Sequence, residues 1–511
     1  MLFKLLFRIF KAALLLLLSG ALIGVIWWHV RNQPVQPAQY HLRGKFGPVT
    51  SWPIIPIHII ALPDGRVMSY GTDGRGKQGA QEVYDVWDPK KGWGPESHLL
   101  LPNRTGTDLF CSSELIVPSS DSVLVVGGDL TVKGKRNASS ADINFYDIKT
   151  ASMAKAAQKL AKPRWYPTVL TLANSEVLVL GGRLDPTHAA PLPEIYSPTT
   201  GWRTLPGADD NILFGSPNWN YPRAWQTPRG DVFVLSRSGQ MFSMSTQGQG
   251  SFKTYSSRVL HGYHYLPSLM YAPGKILSIR LGGVTNDIDI NQDEPIVKTA
   301  AWSGLARINA MATVLADGKV YINGGSLIND DKSYPYVVNR LSQIWDPEQD
   351  TWLPGAVAAK GRLYHSVALL MQDATVLTGG GGAGDPRAPN NLDVEVYQPP
   401  YLFKKDGSGE LARRPEIAQA PSYVGWGQKF AVKTTGRIHK FTFVKMGSAT
   451  HSQVYDQRFM NLRFAEHDGV YTLEAPAKPL EAPPGYYFLF AFDEGGVPSV
   501  AKIVRLDTAA S

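Results

Sequence analysis

Short hydrophobic segments recur along the middle of the chain, each followed by a turn and then by a second segment rich in β-branched residues. The unit is visible in IIALPDGRVMSYG, VLTLANSEVLVLGG and ATVLADGKVYINGG. Brief apolar runs bounded by Gly, Pro, Asn and Asp are typical of buried strands joined by tight turns. The unit occurs seven times, with its second strand starting near Val67, Val123, Val177, Val232, Ile276, Val320 and Val376.

The spacing of this unit indicates the fold class. Its period is about 44 to 56 residues, close to the roughly 50 residues of kelch repeats. One four-stranded unit cannot bury both of its faces alone, so the units must pack on one another. The pattern therefore predicts an all-β protein with a seven-bladed, kelch-like β-propeller over residues 51–402.

The pattern changes after about Pro400. The segments KFAVKT, KFTFVKM, YTLEAP and YYFLFAFD alternate or run apolar between Pro and Gly turns, without the repeat. This spacing is typical of a β-sandwich. We therefore expect a C-terminal, immunoglobulin-like β-sandwich domain over residues 403–511.

The N-terminus carries a different signal. Lys4, Arg8 and Lys11 precede residues 12–30, which are largely apolar and contain no Lys, Arg, Asp or Glu. Such a run can cross a bilayer once, and the basic flank predicts that residues 1–11 are cytoplasmic. We expect a single-pass transmembrane anchor and an extracytoplasmic body, periplasmic or extracellular, with a cleaved signal peptide as the alternative. Residues 31–50, which are polar and contain prolines, read as a linker.

Composition narrows the choice of partners. The formal charge is +8, but Lys and Arg are scattered and no nucleic-acid-binding motif is present, so no nucleic-acid partner is expected. The expected membrane contact is made by the N-terminal helix alone, and the sequence does not imply an oligomer. The chain has a single cysteine, Cys111, which in an exported protein is either an inert buried thiol or a residue kept for reactive chemistry.

Five residues with metal or redox chemistry stand out, four of them at comparable places in the repeat. Cys111 in DLFCSSELI, Tyr166 in KPRWYPTVL, and Tyr364 with His365 in RLYHSVALL each precede the first strand of a blade. His451, in GSATHSQVYDQR, lies between strands of the C-terminal domain and could reach the same end of the propeller axis. Two imidazoles and two phenolates without a carboxylate suit Cu(II) better than Zn, Mg or Ca. Because one copper ion cycles by a single electron, two-electron oxidation at such a site needs a second redox centre.

The motifs FCSS, RWYPT, YHS followed by GGGG, and GSATH with DQR occur in an order that resembles the copper-radical oxidases, namely galactose oxidase and its glyoxal oxidase-like branch. The resemblance covers about residues 55 to 505. It implies one copper ion bound by Tyr166, Tyr364, His365 and His451. It further implies a thioether bond between Cys111 and Tyr166, with a protein-derived radical on Tyr166 as the second cofactor. Cys111, Tyr166 and Tyr364 would then be the catalytic residues, with Tyr364 as the base that takes the substrate's hydroxyl proton.

The same resemblance implies a function. We expect oxidation of small aldehydes or primary alcohols, including glycan termini, with O2 reduced to H2O2. One position departs from galactose oxidase, because Leu184 stands where that enzyme has a tryptophan over its cross-link. His188, Trp165 or Trp225 could take over this role.

Two other readings compete with an oxidase. The chain could be a non-catalytic propeller that binds cell-surface polysaccharide or protein, since folds are often reused without their chemistry. It could also bind copper without forming the cross-link, as a store or scaffold. Retention of all five residues argues against loss of activity.

Overall fold

The computed structural model describes residues 33–118, 120–263, 265–304, 307–328, 338–383 and 389–508, and the fold is all-β. Within these ranges the α-helices are single turns, α1 (Tyr40–Arg43) and α2 (Asn211–Phe214). Short 3-10 turns cover Pro37–Gln39, Pro89–Lys91, Pro95–Ser97, Pro206–Ala208, Leu281–Gly283 and Pro400–Leu402.

No helix among these described residues has the length and hydropathy needed to cross a membrane. The predicted anchor at residues 12–30 lies outside the described part of the chain.

Seven antiparallel sheets, numbered I to VII along the chain, correspond to the seven predicted repeat units. Two short strands, β1 (Lys45–Phe46) and β2 (Thr50–Ser51), precede them. Sheet I contains β3 (His58–Ala61), β4 (Val67–Tyr70), β5 (Val83–Trp87) and β6 (His98–Pro102). Sheet II contains β7 (Ser113–Ile116) and β8 (Ser122–Val126), then, after the hairpin β9 (Asp129–Val132) and β10 (Lys135–Ser139), β11 (Ile143–Asp147) and β12 (Ser152–Lys155).

The next four sheets each take four consecutive strands. Sheet III contains β13 (Thr168–Thr171), β14 (Val177–Leu180), β15 (Glu194–Ser197) and β16 (Gly201–Thr204). Sheet IV contains β17 (Arg223–Gln226), β18 (Val232–Leu235), β19 (Gln240–Ser245) and β20 (Ser251–Arg258). Sheet V contains β21 (Ser268–Ala272), β22 (Lys275–Ile279), β23 (Thr285–Asp289) and β24 (Ile296–Thr299). Sheet VI contains β25 (Ile308–Val314), β26 (Val320–Ser326), β27 (Leu341–Asp346) and β28 (Thr351–Val357).

Burial falls from the first strand of a sheet to the fourth. In sheet III, for example, every residue of β13 and β14 is buried, whereas every residue of β16 is partly exposed. The first strands of neighbouring sheets lie side by side, as β3 does beside β7 and β25 beside β29 (Ser366–Leu370). The starts of these first strands therefore come together, although they are far apart in sequence.

Sheet VII includes residues that the sequence had assigned to a polar linker over residues 31–50. Its own strands are β29, β30 (Val376–Gly380) and β31 (Asp393–Gln398). Strand β1 pairs with β31 and supplies the fourth strand, and β2 pairs with the same strand further along. Within the described residues, the second half of the predicted linker therefore belongs to the folded body. Strands of two residues carry no alternating pattern, which is why sequence reasoning missed them.

The C-terminal domain consists of two sheets that pack on one another as a sandwich. One sheet contains β32 (Glu416–Gln419), β34 (Lys429–Thr435), β39 (Phe464–His467) and β40 (Val470–Glu474). The other contains β33 (Tyr423–Val424), β35 (Lys440–Lys445), β38 (Phe459–Leu462), β41 (Gly485–Phe492) and β42 (Lys502–Leu506). Side chains from both sheets, among them Val432, Phe441 and Leu489, share one buried core.

A hairpin leaves this sandwich and joins sheet I. Its strands are β36 (Ser448–Thr450) and β37 (Gln453–Tyr455), and β36 pairs with β3. The DQR segment that follows fixes the hairpin, because the Asp456 carboxylate accepts a hydrogen bond from the Thr171 N–H at 3.1 Å and pairs with buried Lys445 at 2.9 Å. Gln457 accepts a hydrogen bond from the Val314 N–H at 2.8 Å. The hairpin is thus held against sheets I, III and VI.

Candidate metal centre

Four of the five predicted site residues share an unusual backbone conformation. Cys111, Tyr166, His365 and His451 have φ of +59°, +65°, +68° and +46°, in the left-handed region that costs a non-glycine residue of order 1–3 kcal/mol. Such strain is concentrated at functional sites. In a regular strand, adjacent side chains point to opposite faces. Here the irregular backbone before β29 lets Tyr364 stack on its neighbour His365, with ring centroids 3.8 Å apart.

The structure brings the two predicted histidines together. The rings of His365 and His451 lie 4.7 Å apart and nearly perpendicular. The His365 Nδ1 donates to the Gly382 carbonyl at 2.5 Å. The His451 Nδ1 lies 2.5 Å from the Thr450 hydroxyl, which itself donates to the Ile57 carbonyl at 2.9 Å. These bonds leave both Nε2 atoms as the acceptor nitrogens. Both atoms are buried, and neither has a hydrogen-bond partner among the residues that the structure describes.

Burial also sets the charge of these imidazoles. It lowers the pKa of His365 to about 3 and that of His451 well below the ordinary value. Both rings are therefore neutral near pH 7, which is the state that binds a metal ion.

The two predicted tyrosines complete the cluster. The Tyr166 and Tyr364 hydroxyls hydrogen-bond to each other, and the Tyr166 ring lies 4.9 Å from that of His451. Burial raises the pKa of both phenols well above the ordinary value. They are protonated in the metal-free protein, and a cation between them would favour the phenolate form.

Cys111 lies in the same cluster. Its Sγ and one ring nitrogen each of His365 and His451 lie within 4.8 Å of one another, and its backbone carbonyl accepts a hydrogen bond from the Tyr166 N–H at 2.9 Å. The sulfur is fully buried, and burial raises the thiol pKa well above its ordinary value. The thiol is therefore neutral, and it adjoins both a metal position and the Tyr166 phenol.

Comparison with known proteins finds similar oxidases. Residues 414–506 match the family described as "Galactose oxidase-like, Early set domain". Galactose oxidase of Gibberella zeae is 29% identical, over 91% of this chain and 70% of its own length. Aldehyde oxidase GLOX of Vitis pseudoreticulata is 26% identical, over 80% of this chain and 84% of its own length. The chain is similar over most of its length to galactose oxidase and to the aldehyde oxidases, which identifies it as a copper-dependent oxidase.

The fold of this oxidase is shared with a solved relative. A structure described as a novel fungal alcohol oxidase with catalytic diversity among the AA5 family, in complex with copper, superimposes with a TM-score of 0.80. The two chains are 24% identical, and the match covers 91% of this oxidase and 99% of the relative.

The donor set of the oxidase fits copper. The cluster contains two neutral imidazoles, two phenols and one thiol. The Nε2 atoms of both imidazoles lack a hydrogen-bond partner in the described part of the chain. No described carboxylate hydrogen-bonds to any of these five side chains. Imidazole, phenolate and sulfur ligands suit copper, whereas Mg and Ca require mainly carboxylate and carbonyl oxygens.

The aromatic cover of Tyr166 was only partly predictable. Of the three candidates, Trp165 stacks on Tyr166 with ring centroids 3.9 Å apart. His188 is instead exposed and bound to Asp185, and Trp225 packs on Phe233 in a separate core cluster.

Sequence reasoning missed several members of this aromatic shell. Trp219 lies parallel to Tyr166 at 6.2 Å, and Tyr221 lies 4.9 Å from His451. Tyr265 lies 5.1 Å from Tyr364, and His58 lies 5.7 Å from His451. A signal for Tyr221 was present, because it precedes β17 as Tyr166 precedes β13, and its φ is likewise positive at +40°.

Proposed function

We propose that the protein is a copper-radical oxidase that takes two electrons from a small aldehyde or a primary alcohol and passes them to O2, forming H2O2. The observation that carries the proposal is the convergence of Cys111, Tyr166, Tyr364, His365 and His451 in one buried cluster. In this proposal the seven sheets are the blades of a kelch-like propeller, and the cluster lies where the blades' first strands begin.

In the proposed holoenzyme, the His365 and His451 Nε2 atoms and the Tyr166 and Tyr364 hydroxyl oxygens hold the ion. Copper, when bound, accepts one electron and favours ionisation of the phenols. Neutral imidazoles are ready for this role, since no proton has to leave before the metal binds.

Maturation joins Cys111 to Tyr166. A bond forms between the Sγ atom and a carbon of the phenol ring, and one hydrogen leaves the sulfur and one leaves the ring. O2 takes up both hydrogens with their two electrons and becomes H2O2. The cross-link makes Tyr166 easier to oxidise, so that this residue stores one oxidising equivalent as a radical.

Turnover uses the two phenols differently. The Tyr364 oxygen accepts the substrate's hydroxyl proton, and the Tyr166 radical takes a hydrogen atom from the adjacent carbon. The alcohol loses two protons and two electrons in total, and O2 receives the same number. An aldehyde substrate enters as its hydrate and leaves as the acid. Burial of Tyr166, which is 2% exposed, shields the radical from outside reductants.

Substrate and location complete the proposal. The relatives' names include a galactose oxidase and aldehyde oxidases, and the RWYPT motif favours small aldehydes for this chain. We further propose that the apolar segment at residues 12–30 anchors the body at the extracytoplasmic side of a membrane. A non-catalytic binding propeller would not need the buried, strained cluster.

The test combines mass and peroxide measurements. Metal-free protein is exposed to copper and O2, and intact mass is compared for the wild type and for Cys111→Ser. The wild type should lose two hydrogens and the variant none. Peroxide release on a panel of aldehydes and alcohols should then be lost in Cys111→Ser and greatly reduced in Tyr364→Phe.

The outcomes separate the competing functions. An unchanged wild-type mass after copper binding would favour a copper store. A protein that neither binds copper nor changes mass would favour the polysaccharide- or protein-binding propeller. Loss of the two hydrogens without peroxide from any substrate would contradict the oxidase activity while leaving the cross-link in place.

A further inference from the structure

An arginine completes the aromatic stack on Tyr166. The Arg183 guanidinium carbon lies 3.9 Å from the centroid of the Trp165 ring and 5.6 Å from that of Trp219. Trp165 in turn stacks on Tyr166 at 3.9 Å. Cation, indole and phenol thus follow one another in a single stack, in which the indole has a cation–π contact on one face.

The backbone fixes the position of Arg183. The Arg183 N–H donates to the Trp165 carbonyl at 3.0 Å, and the Trp165 N–H donates back to the Arg183 carbonyl at 3.1 Å. The guanidinium also donates to the Asn137 carbonyl at 2.7 Å. Because the cation and the indole belong to paired backbone segments, their contact does not depend on a freely rotating side chain.

The charge of Arg183 is not neutralised locally. Across the described ranges, no carboxylate forms an ion pair with it. The acidic residues on this side, Asp108 and Asp129, are both paired with Arg136. Trp165 and Tyr166 are 8% and 2% exposed, and charges act more strongly through such poorly solvated surroundings than through water.

A cation beside a redox-active phenol has a defined effect. When the Tyr166 phenolate becomes a neutral radical, it gives one electron to an oxidant and loses its negative charge. A neighbouring positive charge stabilises the phenolate more than the radical, so it raises the potential of this couple. The radical then becomes a stronger oxidant, although it is harder to form.

We propose that Arg183 is a positioning residue whose charge, held over Trp165, sets the potential at which Tyr166 is oxidised. This inference rests on the proposed function, because it requires the Tyr166 radical. It assigns to Arg183 an effect on the energy of the radical and no contact with substrate.

The test measures the potential directly. Mature, copper-loaded protein is titrated with one-electron mediators of the ferricyanide type, and the radical absorbance is followed for the wild type and Arg183→Gln. The oxidation potential of Tyr166 should be lower in the variant by at least 59 mV, which corresponds to a tenfold change in the equilibrium constant of a one-electron couple. The radical should also decay more slowly, and kcat should fall with KM unchanged.

Two further variants serve as controls. Arg183→Lys keeps the charge but replaces the planar guanidinium with a strongly hydrated ammonium, so its potential should lie between those of the wild type and Arg183→Gln. Arg203 is a matched arginine on β16 of the same sheet, paired with Glu176 at 3.1 Å. Arg203→Gln should leave the potential unchanged.

An unchanged potential in Arg183→Gln, with the radical still formed, would overturn the inference and leave the oxidase intact. If Arg183→Gln fails to fold, an unchanged potential in Arg183→Lys overturns it instead. Failure of the wild type to form a radical would contradict both the proposed function and this inference. The two outcomes can therefore be told apart, because failure of the inference alone leaves the radical in place.

Discussion

The hydroxyl of Thr450 is a small group with a large expected effect on metal binding. It donates to the Ile57 carbonyl at 2.9 Å and lies 2.5 Å from the Nδ1 of His451. It thereby fixes the tautomer and the plane of the predicted ligand. Substitution of Thr450 by Val keeps the side-chain shape and removes both hydrogen bonds.

Two magnitudes follow from this geometry. Outer hydrogen bonds to a ligating histidine are typically worth 10- to 100-fold in metal affinity, or about 1.4 to 2.8 kcal/mol. The variant also leaves a carbonyl and a ring N–H buried without partners, at about 1–3 kcal/mol each in stability. Thr450→Val should therefore bind Cu(II) 10- to 100-fold more weakly and unfold at lower denaturant concentration.

The assay is a competition between metal-free protein and a chelator of known copper affinity at pH 7. Thr442 offers a matched control, because its fully buried hydroxyl donates to the Ala316 carbonyl at 3.0 Å, away from the cluster. Thr442→Val should lose stability but keep its copper affinity. Equal affinities for the wild type and Thr450→Val, or an equal loss of affinity in both variants, would refute the reasoning.

Other parts of the fold give further tests. Asp456→Asn strands the buried Lys445 ammonium and should cost about 3–5 kcal/mol, measured by urea unfolding; a loss below 1 kcal/mol would contradict a pair that fixes the hairpin. Gly44→Ala should destabilise strongly, because an added Cβ would lie 2.5 Å from a carbonyl oxygen, whereas Gly427→Ala, with a similar φ and open space, should cost less. Burial raises the pKa of Asp129 to about 6, so its stabilising contribution is present below about pH 4 and is lost as pH rises to 6. Asp129→Asn should avoid this loss, so its stability should rise relative to that of the wild type between pH 4 and pH 7, and a pH-independent difference between the two urea midpoints would contradict the shift.

The repeat made much of the fold predictable. Seven units with the same strand-turn-strand pattern correspond to seven sheets, because each buried strand carries its own apolar signal. The role of residues 45–51 was not predictable, since Lys45–Phe46 gains its strand identity only by pairing with β31. The contribution of β36 to sheet I was hidden for the same reason, because pairing between distant segments leaves no local pattern.

The sequence predicted those site residues whose type or pairing is uncommon along the chain. A lone cysteine and a Tyr-His pair before a strand stand out, and the structure brings all five candidates together. Common residues gave no such signal. Trp219 and Arg183 acquire their significance only from stacking, Trp219 on Tyr166 and Arg183 on Trp165. Such contacts between residues distant in sequence depend on the fold and not on local spacing along the chain.

The hairpin that carries His451 determines when the centre can exist. One histidine comes from the start of sheet VII and the other from a later domain that must first dock beside β3. A nascent chain that has left the ribosome only as far as the sandwich therefore lacks one of the predicted ligands. In the proposed enzyme, oxidising chemistry can start only after synthesis has passed His451 and the last domain has docked on sheet I.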